Sequence, residues 1–241
     1  MSLLRSIAEP YAEGSFSGRF RRARYGFFLD LLAASRDDPD KTWRILDVGG
    51  VEDFWEQAGF PPNCHFTILN LDAPAPRSSN VVTIEGDARD LSRFEDQSFD
   101  LVFSNSVIEH VGTLGDQRRM ADEVRRVGRD YFVQTPSFWF PVEPHAVFPM
   151  FHWLPVPVRA WLLNHLSLGH LGRRRDPEDA LAVVRSIRIM RESELRRAFP
   201  DGAMWQEKLF GRTKSLTVYR MPARRDAPAS LEVRTLASTA T

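Results

Sequence analysis

The sequence predicts a single α/β domain built on a mostly parallel sheet. From about residue 43 to residue 135, short apolar runs typical of buried strands alternate with segments of helical periodicity. The first run ends in an acid and two adjacent glycines, where the backbone can turn sharply without Cβ atoms. Polar side chains also end the later runs, and parallel strands bring such ends to one edge of the sheet, where open α/β folds bind ligands.

The composition favours one globular domain with no global preference for a charged partner. Of the 241 residues, 43% are hydrophobic and 11% aromatic, so a sizeable core can form. Lys+Arg and Asp+Glu both number 32, which gives no reason to expect a nucleic-acid partner. The single cysteine, Cys64, cannot form an internal disulfide, which fits a reducing, cytoplasmic location. We expect no signal peptide and no transmembrane helix, because no uncharged apolar run reaches about 18 residues.

A helix is predicted over residues 18–35, where one stripe of helical spacing is apolar. The stripe contains Phe20, Phe27, Phe28, Leu31 and Leu32. The arginines of this segment are assigned to the other faces of the helix, and we expect them to form a solvated surface rather than a phosphate site. They are Arg19, Arg21, Arg22 and Arg24.

The first strand, residues 43–48, and the glycines after it organise the rest of the chain. Gly49 and Gly50 follow the strand directly, and a segment of helical periodicity begins at about Val51. Strand, glycine turn and helix appear in the order that nucleotide-binding α/β folds use. Such a turn exposes backbone N–H groups to a ligand, and Asp47 at the strand end can accept hydrogen bonds from ligand hydroxyls or an amine. A tight turn without a ligand is the alternative interpretation.

Further strands and helices are predicted after this turn. The strands span residues 65–72, 81–84, 99–106 and 131–136. Residues 73–79 are too rich in proline for the usual crossover helix between two parallel strands. A helix over residues 116–127 precedes the fifth strand, and Gly128 is expected to end it. A short helix over residues 192–199 and a closing hairpin near residues 203–221 complete the pattern.

The predicted strand ends carry motifs that resemble those of one enzyme family. The motifs are Ile-Leu-Asp-Val-Gly at 45–49, Asn-Leu-Asp at 70–72, Gly-Asp-Ala at 86–88, and Ser-Phe-Asp-Leu-Val-Phe-Ser-Asn-Ser-Val-Ile-Glu-His at 98–110. On these motifs the chain resembles the class I S-adenosylmethionine-dependent methyltransferases, within the ubiquinone-pathway-like "methyltransferase type 11" group. The resemblance covers residues 42–135 and the closing hairpin. It implies a Rossmann-like methyltransferase fold, a mostly parallel seven-stranded sheet with an antiparallel last strand.

The resemblance also implies S-adenosyl-L-methionine as the cofactor. In the family, the acid after the second strand holds the ribose hydroxyls and the acid after the third meets the adenine amine, which implies these roles for Asp72 and Asp87. The chain departs from the family pattern because Val51 stands at the second glycine position and the crossover helix after Asp72 is missing or very short. The implied cofactor-binding residues are Asp47, Gly49, Gly50, Asn70, Asp72, Asp87, Ala88, Ser104, Asn105, Ser106 and Val107.

Acidic and histidine side chains beyond the cofactor motifs are candidates for handling the methyl acceptor. Methyl transfer is an in-line displacement that mainly needs alignment, whereas an oxygen or nitrogen acceptor also needs a base for its proton. His110, directly after the fourth strand end, is the first candidate base, with Glu109 and His145 as candidate catalytic partners. The alternative is that His110 only packs near the cofactor.

A divalent metal ion is an alternative to a protein base at this place. Glu109, His110, Glu143 and His145 form two Glu/His pairs that could hold such an ion, which would lower the pKa of a bound hydroxyl. The first pair resembles the Glu-x-x-Glu-His element of metal-dependent relatives, which include small-RNA 2′-O-methyltransferases. Ser106 replaces the first Glu of that element, so one ligand is lost and we predict a metal-free site.

An aromatic-rich insertion over about residues 138–190 is predicted to form a helical lid or substrate pocket over the cofactor. Its prolines prevent one long helix before about Val158, so we expect a loop followed by short amphipathic helices. Such a lid excludes water and selects the acceptor. Aromatic side chains beside Arg173, Arg174 and Arg175 also suit peripheral contact with an anionic membrane; packing of the lid onto the domain is the alternative.

These interpretations together predict a methyltransferase domain over residues 1–222 and a disordered tail over residues 223–241. The predicted reaction is methyl transfer from S-adenosyl-L-methionine to a hydroxyl of a small, lipid-linked or glycan-linked acceptor. C- or N-methylation at the same cofactor site is the alternative reaction. A catalytically inactive methyltransferase-like binding or scaffold protein is the alternative from a different class. A nicotinamide dehydrogenase fits less well, because the third glycine of Gly-x-Gly-x-x-Gly is absent.

Overall fold

The computed structural model describes residues 16–35, 38, 40–221 and 230–233 of the chain. Its strands are β1 (Trp43–Val48), β2 (Cys64–Asn70), β3 (Val81–Glu85), β4 (Phe99–Asn105), β5 (Gly128–Pro136), β6 (Val142–Glu143), β7 (Phe148–Pro149), β8 (Ala203–Leu209), β9 (Arg212–Arg220) and β10 (Ser230–Val233). Its helices are α1 (Phe16–Ala34), α2 (Glu52–Ala58), α3 (Leu114–Val127), α4 (Val156–His165), α5 (Pro177–Arg185) and α6 (Glu192–Ala198).

Eight of the described strands form one sheet in the order β10-β8-β9-β5-β4-β1-β2-β3. Strands β1 to β5 pair in parallel, and β9 is antiparallel to both β5 and β8. This confirms the predicted seven-stranded sheet with an antiparallel last strand. The short strand β10 adds a parallel neighbour to β8 at the outer edge. It lies within the segment predicted as a disordered tail, and the rest of that segment lies outside the described residues.

Helices cover both faces of the sheet, and alternate side chains of one strand enter different cores. Ile45 of β1 packs with the aromatic core beneath α1 and α2, whereas Leu46 packs with the aliphatic core beneath α3 and α6. The first core is built around Phe28 and Trp55, both fully buried. The strand ends are therefore held rigidly from both sides, which fixes the positions of the side chains that follow them.

One arginine of α1 is buried, so the predicted solvated surface is wrong at this position. Arg24 makes two parallel hydrogen bonds to the carboxylate of Glu207 on β8, at 3.0 and 2.8 Å. Its Nη1 also donates to Asn105 and to Gln134, at 2.5 and 2.9 Å. Arg24 lies four residues after Phe20 and four before Phe28, so it belongs to the stripe that faces the sheet. The charge is tolerated there because every contact accepts a hydrogen bond.

The connection between β2 and β3 contains no helix, as the prolines predicted. The buried carboxylate of Glu52 at the start of α2 instead accepts hydrogen bonds from the backbone N–H groups of Arg77 and Ser78. The Arg77 side chain reaches back to Glu56 on α2 at 2.9 Å. The connecting segment is thus bound to the surface of α2 through Arg77 and Ser78. It does not cover the carboxyl end of β2.

The insertion forms a small unit with its own core. The pair β6–β7 is a two-stranded hairpin that the sequence analysis did not predict, and α4 and α5 then pack together around Leu163, Ala180 and Val184. Trp161 on the outer face of α4 is 58% exposed, and Trp139 is 60% exposed. These indole rings do not pack the insertion onto the sheet. Within the described residues, every helix is too short or too polar to cross a membrane.

Candidate active site

A cleft of about 420 Å³ lies at the carboxyl edge of the sheet, where β1 to β4 end. The strand order reverses between β1 and β4, and this is where open α/β sheets bind their ligands. Six of the residues predicted to bind cofactor line the cleft together with His110. They are Gly49, Asn70, Asp87, Ala88, Ser106 and Val107.

The glycine turn after β1 is required by the packing around it. Gly49 has a φ of +76°, and a Cβ there would come within 2.4 Å of the Val107 side chain. A Cβ on Gly50 would lie only 1.7 Å from the carboxylate of Asp47. The two adjacent glycines therefore let β1, its own acid and the end of β4 approach one another closely.

Asp47 lies beneath this turn and not in the cleft. Its Oδ2 accepts a hydrogen bond from the indole Nε1 of Trp55 at 2.7 Å, while its Oδ1 is buried without a partner. Burial raises the pKa of Asp47 to about 7, although the bond from Trp55 acts in the opposite direction. At this position Asp47 supports the glycine turn from below. Direct contact between Asp47 and a ligand stays a prediction.

Asn70 and Asp72, two predicted cofactor-binding residues at the end of β2, differ in the cavities that they line. The side-chain amide of Asn70 donates to the carbonyl of Gly50 at 2.8 Å, and its oxygen accepts from the N–H of Leu71. Asn70 thereby clamps the glycine turn and lines the main cleft. Asp72 is exposed and lines a neighbouring cavity of about 220 Å³, together with Gly50. That cavity shares Asn70 with the cleft, and the ribose role of Asp72 remains a prediction.

Asp87 brings a carboxylate to the cleft after β3. It forms an ion pair with Arg89, whose Nε donates to it at 2.9 Å, and this bond holds the pKa of Asp87 below its usual range. The acid is therefore ionised at neutral pH. An ionised carboxylate at the mouth of the cleft can accept a hydrogen bond from an exocyclic amine.

The polar residues at the end of β4 have separate tasks. Ser104 is buried and donates to the carbonyl of Val48, which ties β4 to β1 at 3.1 Å. Asn105 faces Arg24, so neither residue lines the main cleft. Ser106 has a φ of +58° and donates to Gln134 at 2.8 Å. Arg24 and Gln134 were missed as supports of this strand end, and the helical spacing of Arg24 was the signal that could have found the first of them.

The four candidate acceptor-side residues come together beside the cleft. His145 Nδ1 lies 2.6 Å from Glu143 Oε1, and its Nε2 lies 3.0 Å from His110 Nε2. Burial by itself lowers the pKa of His145, but the bond to Glu143 outweighs it and the pKa is raised. Desolvation and then the charge of His145 lower the pKa of His110 to about 4. The result is a carboxylate–imidazole–imidazole chain that ends at the cleft.

Glu109 is fully buried behind this chain. Its Oε2 accepts a hydrogen bond from Thr135 at 2.9 Å, its Oε1 has no partner, and burial raises its pKa to about 7. One oxygen of Glu109 and one ring nitrogen each of His110 and His145 lie within 4.8 Å of one another, a spacing that could hold a metal ion. Glu143 is not part of this group of three; it contacts Nδ1 of His145, the ring nitrogen that faces away from His110.

A family model described as "Methyltransferase domain" matches residues 67–130 of the chain. The matched segment runs from β2 into β5 and contains Asn70, Asp87, Glu109 and His110. Over this segment the chain matches a methyltransferase domain, and its sheet has the strand order of the Rossmann-like methyltransferase fold. The matched family implies S-adenosyl-L-methionine as the cofactor.

Solved structures share the architecture of this chain across most of its length. A carbon methyltransferase named CurJ has a TM-score of 0.55 at 8% identity, and the alignment covers 92% of this chain and 58% of that one. The CMeT domain of the citrinin polyketide synthase also has a TM-score of 0.55, at 11% identity over 90% of this chain and 56% of that one. At such identities the likeness concerns the fold alone.

Curated relatives of the chain match over a shorter segment. Two uncharacterized proteins, from two strains of Mycobacterium tuberculosis, are each 28% identical over 102 residues. The match covers 42% of this chain and 33% of those proteins, so it spans a third of the length of the relatives.

Proposed function

We propose that this methyltransferase transfers a methyl group from S-adenosyl-L-methionine to a hydroxyl of a small, lipid-linked or glycan-linked acceptor. The observation that carries the proposal is the chain Glu143–His145–His110, which ends at the cleft. When bound, the cofactor supplies a methyl group on a positively charged sulfur and leaves as the neutral thioether S-adenosylhomocysteine.

The residues of the cleft fit this cofactor. A cavity of about 420 Å³ is within the range of about 300–1,000 Å³ that small-molecule sites occupy. The bare backbone of Gly49 admits a ligand closely, and the ionised Asp87 suits the amine of an adenine ring. We assign the far end of the cleft, at Ser106 and Val107, to the methionine part of the cofactor, because these residues adjoin His110.

The imidazole pair supports deprotonation of the acceptor. A hydroxyl that lies against His110 can pass its proton to the pair of rings while its oxygen forms the new bond to carbon. Glu143 accepts the hydrogen bond of His145 Nδ1 and stabilises the imidazolium that forms. The presence of such a base indicates a hydroxyl acceptor rather than a thioether or an unprotonated amine, because the latter two can attack carbon without first losing a proton. A carbon acid needs the same help, so C-methylation is separated from O-methylation by analysis of the product.

A metal-assisted reaction is the second candidate, because three ligand atoms of Glu109, His110 and His145 lie within 4.8 Å of one another. The buried, unpartnered Oε1 of Glu109 is an available ligand, and Glu143 would orient His145 from behind, as carboxylates do for metal-bound histidines. In this arrangement the ion, rather than the imidazole pair, would lower the pKa of the acceptor hydroxyl.

The first experiment separates an enzyme from a scaffold. Purified protein is incubated with methyl-labelled cofactor and cell extract, and conversion is compared between the wild type, His145→Gln and the control His165→Gln. His165 is exposed on α4, and among the described residues it hydrogen-bonds to the carbonyl of Trp161 and stacks on its ring, both within its own helix. We expect conversion that His145→Gln reduces and His165→Gln preserves. Binding of cofactor without conversion would contradict the enzyme and favour the scaffold.

Peripheral membrane contact belongs to the same proposal, because a lipid-linked acceptor resides in a membrane. The exposed Trp161 and the arginines at 173–175 are the residues that support it. Sedimentation with anionic vesicles at low salt tests it: salt-sensitive pelleting that Trp161→Ala weakens is expected, and no pelleting would contradict it.

A further inference from the structure

A further pocket of about 230 Å³ lies near the acceptor side of the active site. It lies between the insertion and the segment that leads into α6, and Phe138, His152, Arg159, Arg188 and Arg191 are among its lining residues. The pocket is connected to the catalytic cluster through the backbone, because the N–H of Arg188 donates to the carbonyl of Glu109 at 2.7 Å.

The pocket carries positive charge that is not neutralised by an ion pair among the described residues. Arg188 is paired with Glu194 at 2.7 Å, so these two lining residues compensate each other. Arg159 has no ion pair within the described part of the chain, and its Nε is buried there without a hydrogen-bond acceptor. Burying a guanidinium donor without an acceptor is costly, so an arginine in this state is suited to receive an anionic ligand.

The other side chains give the pocket a fixed shape. Arg191 lies over the ring of Phe138 at 4.9 Å and over that of Trp139 at 5.7 Å, which holds its guanidinium in place. The Nε2 of His152 lies 2.7 Å from the carbonyl of Phe138, and its Nδ1 is buried without a partner. Because Nε2 donates to that carbonyl, Nδ1 of the neutral ring is an acceptor, and it is open to a hydroxyl or amine donor of a ligand whose anionic group lies at the arginines.

The surrounding sequence favours an anion in the same place. Residues 144–175 contain no Asp or Glu, although the whole chain has 32 acidic residues and a net charge of zero. The same stretch contains Arg159, Arg173, Arg174 and Arg175. Arg174 pairs with Asp179 at 3.5 Å, and Arg159 is the arginine of this positively charged stretch that lines the pocket.

The pocket is also close to the proposed base in electrostatic terms. Burial lowers the pKa of Arg159 and of His152, and the charge of Glu143 opposes this shift at both residues. The same carboxylate acts on His110. Ser186 lines the main cleft and the next residue, Ile187, lines this pocket, so an acceptor held in the pocket can extend toward the cleft.

We propose that this pocket binds an oxyanion of the methyl acceptor, with Arg159 and Arg191 as its charged contacts. The acceptor is then a hydroxyl compound that also carries a phosphate or a carboxylate group. This inference rests on the proposed function, since it names the substrate class of the same active site. A guanidinium pair binds either anion, through paired N–H donors.

The test is calorimetric titration of the full chain with inorganic phosphate and, separately, with acetate, each in the presence of S-adenosylhomocysteine. Arg159→Gln is compared with the control Arg185→Gln, which removes an equal charge from an exposed position on α5. We expect Arg159→Gln to weaken binding about tenfold or more, and Arg185→Gln to leave it nearly unchanged. The tighter of the two anions identifies the group that the acceptor carries.

The outcomes separate this inference from the proposed function. Equal binding of the anions by both variants, or no binding of either anion by a protein that binds S-adenosylhomocysteine, would overturn the pocket assignment alone. Failure to bind S-adenosylhomocysteine would instead speak against the proposed function. Arg191→Gln serves as a second variant if Arg159→Gln melts at a lower temperature than the wild type.

Discussion

Asp47→Asn tests whether the acid beneath the glycine turn supports the turn or contacts the cofactor. Burial raises the pKa of Asp47 from its ordinary value of 3.8 to about 7. Between these values the unfolded chain has lost the proton while the folded protein keeps it, so stability falls as the pH rises. Each unit of pKa corresponds to about 1.36 kcal/mol, and the loss is about 4 kcal/mol once the pH exceeds 7.

The asparagine removes this loss but introduces an unmatched amide. Its oxygen can still accept the bond from Trp55, whereas its NH₂ group replaces Oδ1, which has no partner. A buried donor without an acceptor costs about 1–3 kcal/mol. At pH 4 the protonated wild-type carboxyl also buries an unmatched O–H, so we expect the two proteins to be similarly stable there and Asp47→Asn to be more stable by about 4 kcal/mol above pH 7.

The assay is chemical denaturation of both proteins between pH 4 and pH 9. Glu109 also has a raised pKa, so the difference between the two proteins is used, which isolates Asp47. Asp30→Asn, an exposed position on α1, is the matched control. A pH-independent difference in stability would refute the burial argument. Loss of cofactor binding in a stable Asp47→Asn protein would show that the carboxylate is a ligand contact.

The remaining predictions concern the base, the buried ion pair and the metal. Glu143→Gln should lower kcat about a hundredfold or more with little change in cofactor affinity, because the imidazolium loses its partner; an unchanged kcat would exclude the relay. Arg24→Met should cost about 3–5 kcal/mol in chemical denaturation by leaving Glu207 buried and unpaired, whereas Arg22→Met at an exposed position should cost little. A double variant, Arg24→Met with Glu207→Met, should recover most of that loss, and no recovery would refute this reasoning. Exhaustive chelation should leave turnover unchanged; activity lost on chelation and restored by one divalent cation would instead assign Glu109, His110 and His145 as ligands.

The sheet could be predicted from the sequence because the residues of each strand mark where that strand begins and ends. Apolar runs set the strands, and an acid or small polar residue marks each carboxyl end, so the topology brings Gly49, Asn70 and Asp87 to one cleft. A local sequence pattern does not show which cavity or neighbouring residue a polar side chain at a strand end faces. Asp72 and Asn105 follow strands as Asp87 does, yet one lines a neighbouring cavity and the other faces Arg24.

The contacts of the insertion could not be predicted for a different reason. His110 and His145 are separated by 35 residues, and the hairpin β6–β7 that positions His145 has only two residues in each strand. So short a pair has no detectable alternation of apolar and polar residues. Composition indicated a lid, but only the folded chain places His145 against His110, with Glu143 on the other ring nitrogen of His145.

Calorimetric titration of the purified protein with S-adenosyl-L-methionine and S-adenosylhomocysteine tests the cofactor site most directly, with Asp87→Ala beside the wild type. We expect micromolar binding of both compounds by the wild type. We expect binding about tenfold or more weaker in Asp87→Ala, since a charged hydrogen-bond acceptor is lost from the cleft. No binding at millimolar cofactor, or equal binding by both proteins, would contradict the assignment of this cleft.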